Sequence, residues 1–339
     1  MALDMSLFDI ETDAETSEVE VLKVARATSP GTPVKLKWSY SKRGVLEQCP
    51  RRFYYQYYGA NRGKAKNDPA KQELRLLKLA GNRHTRTGAI LHLAVADYLR
   101  KGQLGTPWER QHWLDWARNV FERDIARSRE GLEEPTPSYR QHPPQFLVDF
   151  LHETEARQLC REALAQMMAA LEAFLDAPAF AAVRELGMQK GTLIERHFHS
   201  LAGFPFGVEG QVDLAHRAES GAVTLVDWKS GDDLGDGDDS LQLAVYALWA
   251  KDILSCRAED ITLYKAFLGS GTLVRFPLSE RLLKVARLKI LQDTEWFAKM
   301  HEYGCAGVTE AFTPCAQRAV CRGCSFATLC PEGKESLTW

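Results

Sequence analysis

Between residues 207 and 229 the chain sets short apolar runs against turn-forming residues. Val208, Val212 and Leu214 recur at even spacing, residues 222–228 make a second apolar run, and Glu219-Ser220-Gly221 stands between them. This pattern predicts two β-strands joined by a turn. Residues 191–200 alternate Leu193, Glu195, His197 and His199 against Ile194, Arg196 and Phe198, which predicts another strand. Residues 259–268 and 272–276 predict two more around Gly269-Ser270-Gly271. Elsewhere the period is helical. Ser41 is placed to cap a helix carrying Leu46, Cys49, Phe53 and Tyr57. Residues 69–100 read as a long helical region with a weak point at Gly81. Residues 108–175 are mostly helical, broken by prolines at 135–145, with the second helix over 146–175. Helices are also predicted over 239–253 and 279–301. Strands mixed with helices place the chain in the α/β class, with a central mixed sheet of four or five strands.

Composition narrows this picture. The chain has 339 residues, 45% of them apolar, which supports a substantial core, and a net charge of −2. Nucleic acid, if bound, must be met by local basic patches rather than by a global field. Residues 1–32 are dominated by acidic residues in their first twenty and read as a disordered lead. That opening does not resemble a signal peptide, and no apolar run is long enough to span a bilayer, so a cytoplasmic protein with no membrane partner is expected. The basic and aromatic residues interleaved over 42–58 suit either a core-packed stripe of rings with arginines facing water or a surface that grips phosphates and stacks bases.

The candidate chemistry gathers on the predicted hairpin. Asp213 lies near the end of its first strand, and the second ends in Asp227-Trp228-Lys229. Side chains two apart on a strand share a face, so Asp227 and Lys229 project together. Pairing the strands brings Asp213 beside them. Two close carboxylates repel unless a proton or cation lies between them, and a divalent ion such as Mg²⁺ suits a few carboxylates and retained water. An isolated Asp-x-Lys is also what a surface strand end looks like. The five aspartates over 232–239 invite a calcium reading, but the EF-hand loop pattern is not met, and a solvated loop is expected there.

Eight cysteines are present. Without a secretion signal, reduced thiols or metal ligands are expected rather than disulfides. Cys321-x2-Cys324-x5-Cys330 is tight spacing for thiolate ligands. Cys315 added to these three makes a four-cysteine zinc site, whereas a distant fourth cysteine makes an iron–sulfur site. Cys160, Cys256 and Cys305 have no matching spacing and read as ordinary buried or half-buried thiols.

These parts resemble a known family. Gly210-Gln211-Val212-Asp213, then Asp227-Trp228-Lys229, then Gln242 with Tyr246 four residues on resembles the PD-(D/E)XK nuclease superfamily, closest to its RecB-like branch. Gly88 with His92 resembles that branch's Gly-x-x-x-His helix, with His84 as the competing candidate. Glu195 occupies the strand before the hairpin, where the family often has an acid near the site. The resemblance implies a restriction-endonuclease-like core with a helical N-terminal region. It implies an Mg²⁺ or Mn²⁺ ion bound by Asp213, Asp227, His92 and the carbonyl of Trp228. In it, Lys229 orients the attacking water, Gln242 turns toward the site, and Tyr246 packs or meets a phosphate.

Cys49-Pro50-Arg51-Arg52-Phe53 resembles the first element of the iron–sulfur RecB-like subfamily, which includes the AddB nuclease and CRISPR-associated adaptation nucleases. The implied 4Fe-4S ligands are Cys49, Cys321, Cys324 and Cys330, and the zinc alternative keeps Cys315 in place of Cys49. The implied organisation is one nuclease domain over 33–339, with a helical insert at 104–188 and a Cys-rich closing segment at 305–331. The implied activity is cleavage of DNA, single-stranded or at duplex ends, in repair, recombination or phage defence, with exonuclease action the form expected. No Walker motif is present, so any unwinding belongs to a helicase or other subunit in another chain. The alternative is a non-catalytic DNA-binding or scaffolding subunit of such a complex.

Overall fold

The structure is a computed structural model that describes residues 37–61, 68–133, 142–231 and 239–338. The acidic lead at 1–32, part of the Pro-rich break and the Asp-rich segment 232–238 lie outside the described residues.

The centre is a five-stranded mixed sheet. It comprises β2 (Leu193–Phe198), β4 (Gly210–Arg217), β5 (Val223–Lys229), β6 (Ile261–Phe267) and β7 (Thr272–Phe276), in the order β2-β4-β5-β6-β7. Neighbours are antiparallel except β5 and β6, which are parallel. A parallel pair needs a crossover, and helix α9 (Ser240–Ile253) lies in that connection. A two-stranded sheet pairs β1 (Lys37–Trp38) with β3 (Gly207–Val208).

Helices cover both faces. On one side, α1 (Tyr40–Gln48), α2 (Pro50–Tyr57), α9 and α10 (Glu280–Ala306) bury Leu46, Phe53, Leu243, Trp249, Ile290 and Phe297 against Val212, Leu225 and Leu263. On the other, α4 (Arg83–Gln103), α5 (Arg110–Glu130), α7 (Ala156–Asp176) and α8 (Ala181–Met188) bury Ile90, Leu99, Trp113, Phe121 and Phe174 against Leu214, Val226 and Trp228. A third, smaller cluster joins Leu77 of α3 (Pro69–Leu79) to Phe146, Val148, Cys324, Phe326 and Ala327. Among the described residues no single helix is long and apolar enough to cross a membrane.

Several local expectations are corrected. The first helix is capped by Ser39, not Ser41: the Ser39 side chain accepts from the N–H of Lys42. One helix through Tyr57 becomes two, because Pro50 has no N–H to continue the ladder. Cys49 ends α1 and caps α2 with its sulfur. The helix expected over 146–175 begins at Ala156, preceded by the single turn α6 (Asp149–His152). Leu147 is instead held in a β-bridge: Gly81 donates to Phe146 O and accepts from Val148 N–H. Cys305 is exposed rather than buried.

The even spacing of Val212 and Leu214 also misleads, since the two side chains enter opposite cores. The neighbouring strand is irregular at the same level. Glu195 has φ 51, in the left-handed region that side chains rarely adopt. The β2–β4 register pairs Ile194 with Leu214 and Arg196 with Val212, and skips the rung between them. That rung is Glu195 opposite Asp213.

Candidate active site

The acids occupy one level of the sheet. On β4–β5 the pairing runs from Arg217–Val223 to Leu214–Val226 and then stops. One step further, Asp213 faces Asp227, and the ladder opens there. The N–H of Trp228 donates to Asp213 Oδ2 at 2.8 Å, so a side chain replaces the missing backbone acceptor. Across the parallel pair, Asp227 is level with Lys265. Glu195, Asp213, Asp227 and Lys265 thus come from four adjacent strands at one height. Gly210, three residues before Asp213, is required sterically: it pairs with Phe198, and a Cβ there would run into the Phe198 ring.

Helix α4 brings His92 to this level from one layer. Its Nδ1 is 3.4 Å from Asp213 Oδ1 and 3.6 Å from Glu195 Oε1. Ligand atoms of His92, Glu195 and Asp213 all lie within 4.8 Å of one another, a group that could hold a metal ion. His84, the competing histidine, is exposed on the same helix and takes no part. Helix α9 supplies Gln242 and Tyr246 from the other layer. Lys229 Nζ donates to Gln242 Oε1 at 2.9 Å, and Gln242 Nε2 donates to the Tyr246 hydroxyl at 2.8 Å. Lys229 Nζ is also 2.9 Å from Asp227 Oδ2 and 3.2 Å from Asp239 Oδ2.

Two buried carboxylate oxygens are left short of partners. Glu195 Oε1 accepts no hydrogen bond, 3.6 Å being too long from His92, although its other oxygen accepts from Gln211 Nε2. Asp227 Oδ2 lies close to the Lys229 ammonium but at an angle that makes no good hydrogen bond. Uncompensated buried carboxylates are costly, and the site's protonation reflects this. Burial, with the Asp213 charge added, pushes the Asp227 carboxyl up to about 7 against the pull of Lys229. Burial also raises Glu195. Burial pulls the His92 imidazole down, yet Asp213 and Glu195 outweigh it and hold it at about 10. Burial lowers Lys229, but Asp227 and Asp239 keep it above its ordinary value. These carboxylates are short of positive charge, which is the deficit a divalent cation fills.

The acids open into a groove lined by His92, Glu195, Gln211, Asp213, Gln242 and Tyr246. Ser39, Ser41, Arg86, Arg100 and His197 extend its walls. Asp227 and Lys229 are not among the lining residues, and Asp227 is 2% exposed. The three-ligand group contains Glu195, expected among the catalytic residues but not as a metal ligand, and does not include Asp227. Trp228, expected to contribute its carbonyl, meets Asp213 through its N–H. Sequence reasoning missed Lys265, Asp239 and Gln211. Lys265 had a usable signal: it interrupts an apolar series, Ile261 and Leu263, on one face of β6.

A second pocket is lined by Cys49, Cys315, Cys321, Cys324 and Cys330, together with Arg51, Arg52, Tyr55 and Phe326. The hinge between α1 and α2 thus meets the C-terminal segment, where Cys321 lies in α11 (Arg318–Arg322), Cys330 precedes α12 (Pro331–Leu337) and Cys324 stands between them. The N–H of Arg52 donates to Cys49 Sγ at 3.5 Å. Burial pushes the Cys324 and Cys330 thiols up to about 11 in the absence of a cation. The segment is tied to the start of α4: Asn82 Nδ2 donates to Gly323 O at 2.9 Å and Ser325 Oγ to Ala80 O at 3.2 Å.

Comparison with known proteins agrees with this architecture. The sequence profile of the PD-(D/E)XK nuclease superfamily matches residues 37–331. Among solved structures, one described as "Crystal structure of SSO0001" is similar at 16% identity, covering 62% of this chain and 94% of that chain, with a TM-score of 0.28. A superposition that loose carries no further argument. No curated protein matches the sequence.

Proposed function

The chain belongs to the PD-(D/E)XK nuclease superfamily, and from that premise we propose that it is a divalent-metal-dependent DNase. The observation that carries the reading is the row of buried, under-partnered acids beside His92 at the floor of an open groove. Asp213, Glu195 and His92 would hold Mg²⁺ or Mn²⁺, with Asp227 adjoining. The ion would supply Lewis acidity toward the phosphodiester. Lys229, held by Asp227 and Gln242, orients the attacking water and offsets charge on the phosphate. Arg86 is neutralised by the buried Asp124, which leaves Arg100 on the groove wall to attract the backbone of a DNA strand, a contact that favours weak sequence preference and salt dependence.

The substrate proposed is single-stranded DNA or duplex ends, with exonuclease action in repair, recombination or phage defence, in the cytoplasm and beside a helicase or other subunit. The test is cleavage of end-labelled linear and circular DNA by purified protein with Mg²⁺, Mn²⁺ or EDTA. Metal-dependent loss of label from linear DNA alone supports an exonuclease. Binding without cleavage would favour the scaffolding alternative.

For the second pocket we propose a 4Fe-4S cluster on Cys49, Cys321, Cys324 and Cys330. Zinc with Cys315, Cys321, Cys324 and Cys330 is the alternative. Zinc–sulfur bonds of about 2.3 Å in a tetrahedron draw four sulfurs closer together than a cluster does. Cys49 and Cys315 act on each other's thiols within one pocket with Cys321, Cys324 and Cys330, so metal content and colour decide between the two sets. Iron and sulfide with brown colour after anaerobic purification support the cluster, and stoichiometric zinc in colourless protein refutes it.

A further inference from the structure

Acceptors crowd the Lys229 ammonium. An ammonium has three N–H groups, and three acceptors surround this one: Asp227 Oδ2 at 2.9 Å, Gln242 Oε1 at 2.9 Å and Asp239 Oδ2 at 3.2 Å. The hydrogen bond goes to Gln242, while the two carboxylates hold the ammonium by charge, so a water or a phosphate must compete with them for it. Gln242 is fixed by Tyr246 and by helix α9. Asp227 is buried on β5. Asp239 differs from both. It precedes α9 at the N-cap position, yet its side chain makes no capping hydrogen bond. The same Oδ2 atom that approaches Lys229 is 3.3 Å from Lys265 Nζ. Lys265 stands level with Asp227 on the adjacent parallel strand, and its side chain is 18% exposed. Its ammonium is 5.9 Å from the Phe276 ring centroid, a cation–π contact that helps hold it in place.

We propose that Asp239 and Lys265 form an exchange pair that frees Lys229 for the reaction: Lys265 takes over Asp239 as Lys229 turns one N–H toward the substrate. Both are positioning residues, acting through Lys229 without touching the reacting atoms. The inference rests on the nuclease reading for its kinetic consequence, though the charge pair itself does not depend on it. Without Lys265, Asp239 has Lys229 as its cation and holds it back. Removing the Asp239 charge as well should release it again.

The experiment compares wild type, Lys265→Met, Lys265→Arg, Asp239→Asn and the Lys265→Met/Asp239→Asn double variant on single-stranded DNA with Mn²⁺. Lys265→Met is expected to lower kcat roughly tenfold to a hundredfold, the scale of a misplaced catalytic group, with KM and Mn²⁺ affinity held. Lys265→Arg should retain most of the rate. The double variant should recover most of what Lys265→Met loses, a coupling that independent structural damage does not produce. A Lys265→Met enzyme as fast as wild type, or a double variant no faster than Lys265→Met, overturns the proposal. Absence of cleavage by wild type sinks the nuclease reading instead. The ¹⁵Nζ resonance of Lys229 then decides: a shift in Lys265→Met that reverts in the double variant upholds the exchange pair, and an unmoved resonance overturns it.

Discussion

Around Asp213 and Asp227 the support is five hydrogen-bonded strands between two extensive apolar layers. Around Cys321, Cys324 and Cys330 it is two short helices, α11 and α12, and a cluster of six buried residues that itself includes Cys324. The carboxylate site is strained by its own charge and held in place by the sheet, so an ion there serves chemistry more than folding. The cysteine pocket has little apolar burial to fall back on, so the ion proposed there would contribute folding free energy directly. The same type of event, cation binding, should therefore have opposite consequences in the two places.

The largest effect expected is at the cysteines. Cys324→Ser should destabilise the C-terminal segment by several kcal/mol. Hydrogen exchange should report this as lost protection in residues 318–337, spreading to the start of α4 through Asn82 and Ser325. Unchanged exchange would dissolve the contrast between the regions.

Next come Asp227→Asn and Lys229→Ala. Each is expected to lower cleavage by roughly 10²–10³ or more. Circular dichroism should stay native, and the melting temperature of metal-free Asp227→Asn should rise, because a repelling buried carboxylate is gone. A large fall in that temperature would show that the sheet depends on this charge after all.

A smaller effect is expected from Glu195→Gln. Weakened Mn²⁺ affinity in calorimetry, with catalysis partly restored at high Mn²⁺, would place Glu195 among the ligands. Unaltered affinity would remove it.

The smallest effect is a pH trend in the metal-free protein. Asp227 and His92 both have native values raised, to about 7 and about 10. In the window from about 4 to 7 for Asp227, and from about 6.5 to 10 for His92, the native state holds more protons than the unfolded state. Stability should therefore fall as pH rises through both windows. Metal should stabilise the protein more at pH 8 than at pH 6, since protons compete for its ligands. A melting temperature that climbs with pH in EDTA would contradict the assignment of these buried charges.

Much of this was legible in the residues. The Gly-x-x-Asp and Asp-x-Lys strands are level neighbours because period-two geometry and a short turn leave few other pairings. Gln242 and Tyr246 share a helix face because four residues make about one turn. The break at Gly81 and the cysteine spacing were local features of the same kind. Where local reasoning failed, a distant partner had intervened. Ser39 caps α1 in place of Ser41, and Leu147 stays out of the helix because Gly81 bridges to it through backbone hydrogen bonds.

The sequence by itself determined the elements, the α/β class and the presence of two ion-seeking sets of side chains, because these follow from periodicity and from charges or thiols close along the chain. Only the tertiary structure decided that Glu195 twists out of its ladder opposite Asp213, that His92 comes from one layer and Gln242 from the other, and that Lys265 shares Asp239 with Lys229. Those facts depend on register between strands and on the packing of helices far apart in the chain, which no local pattern encodes.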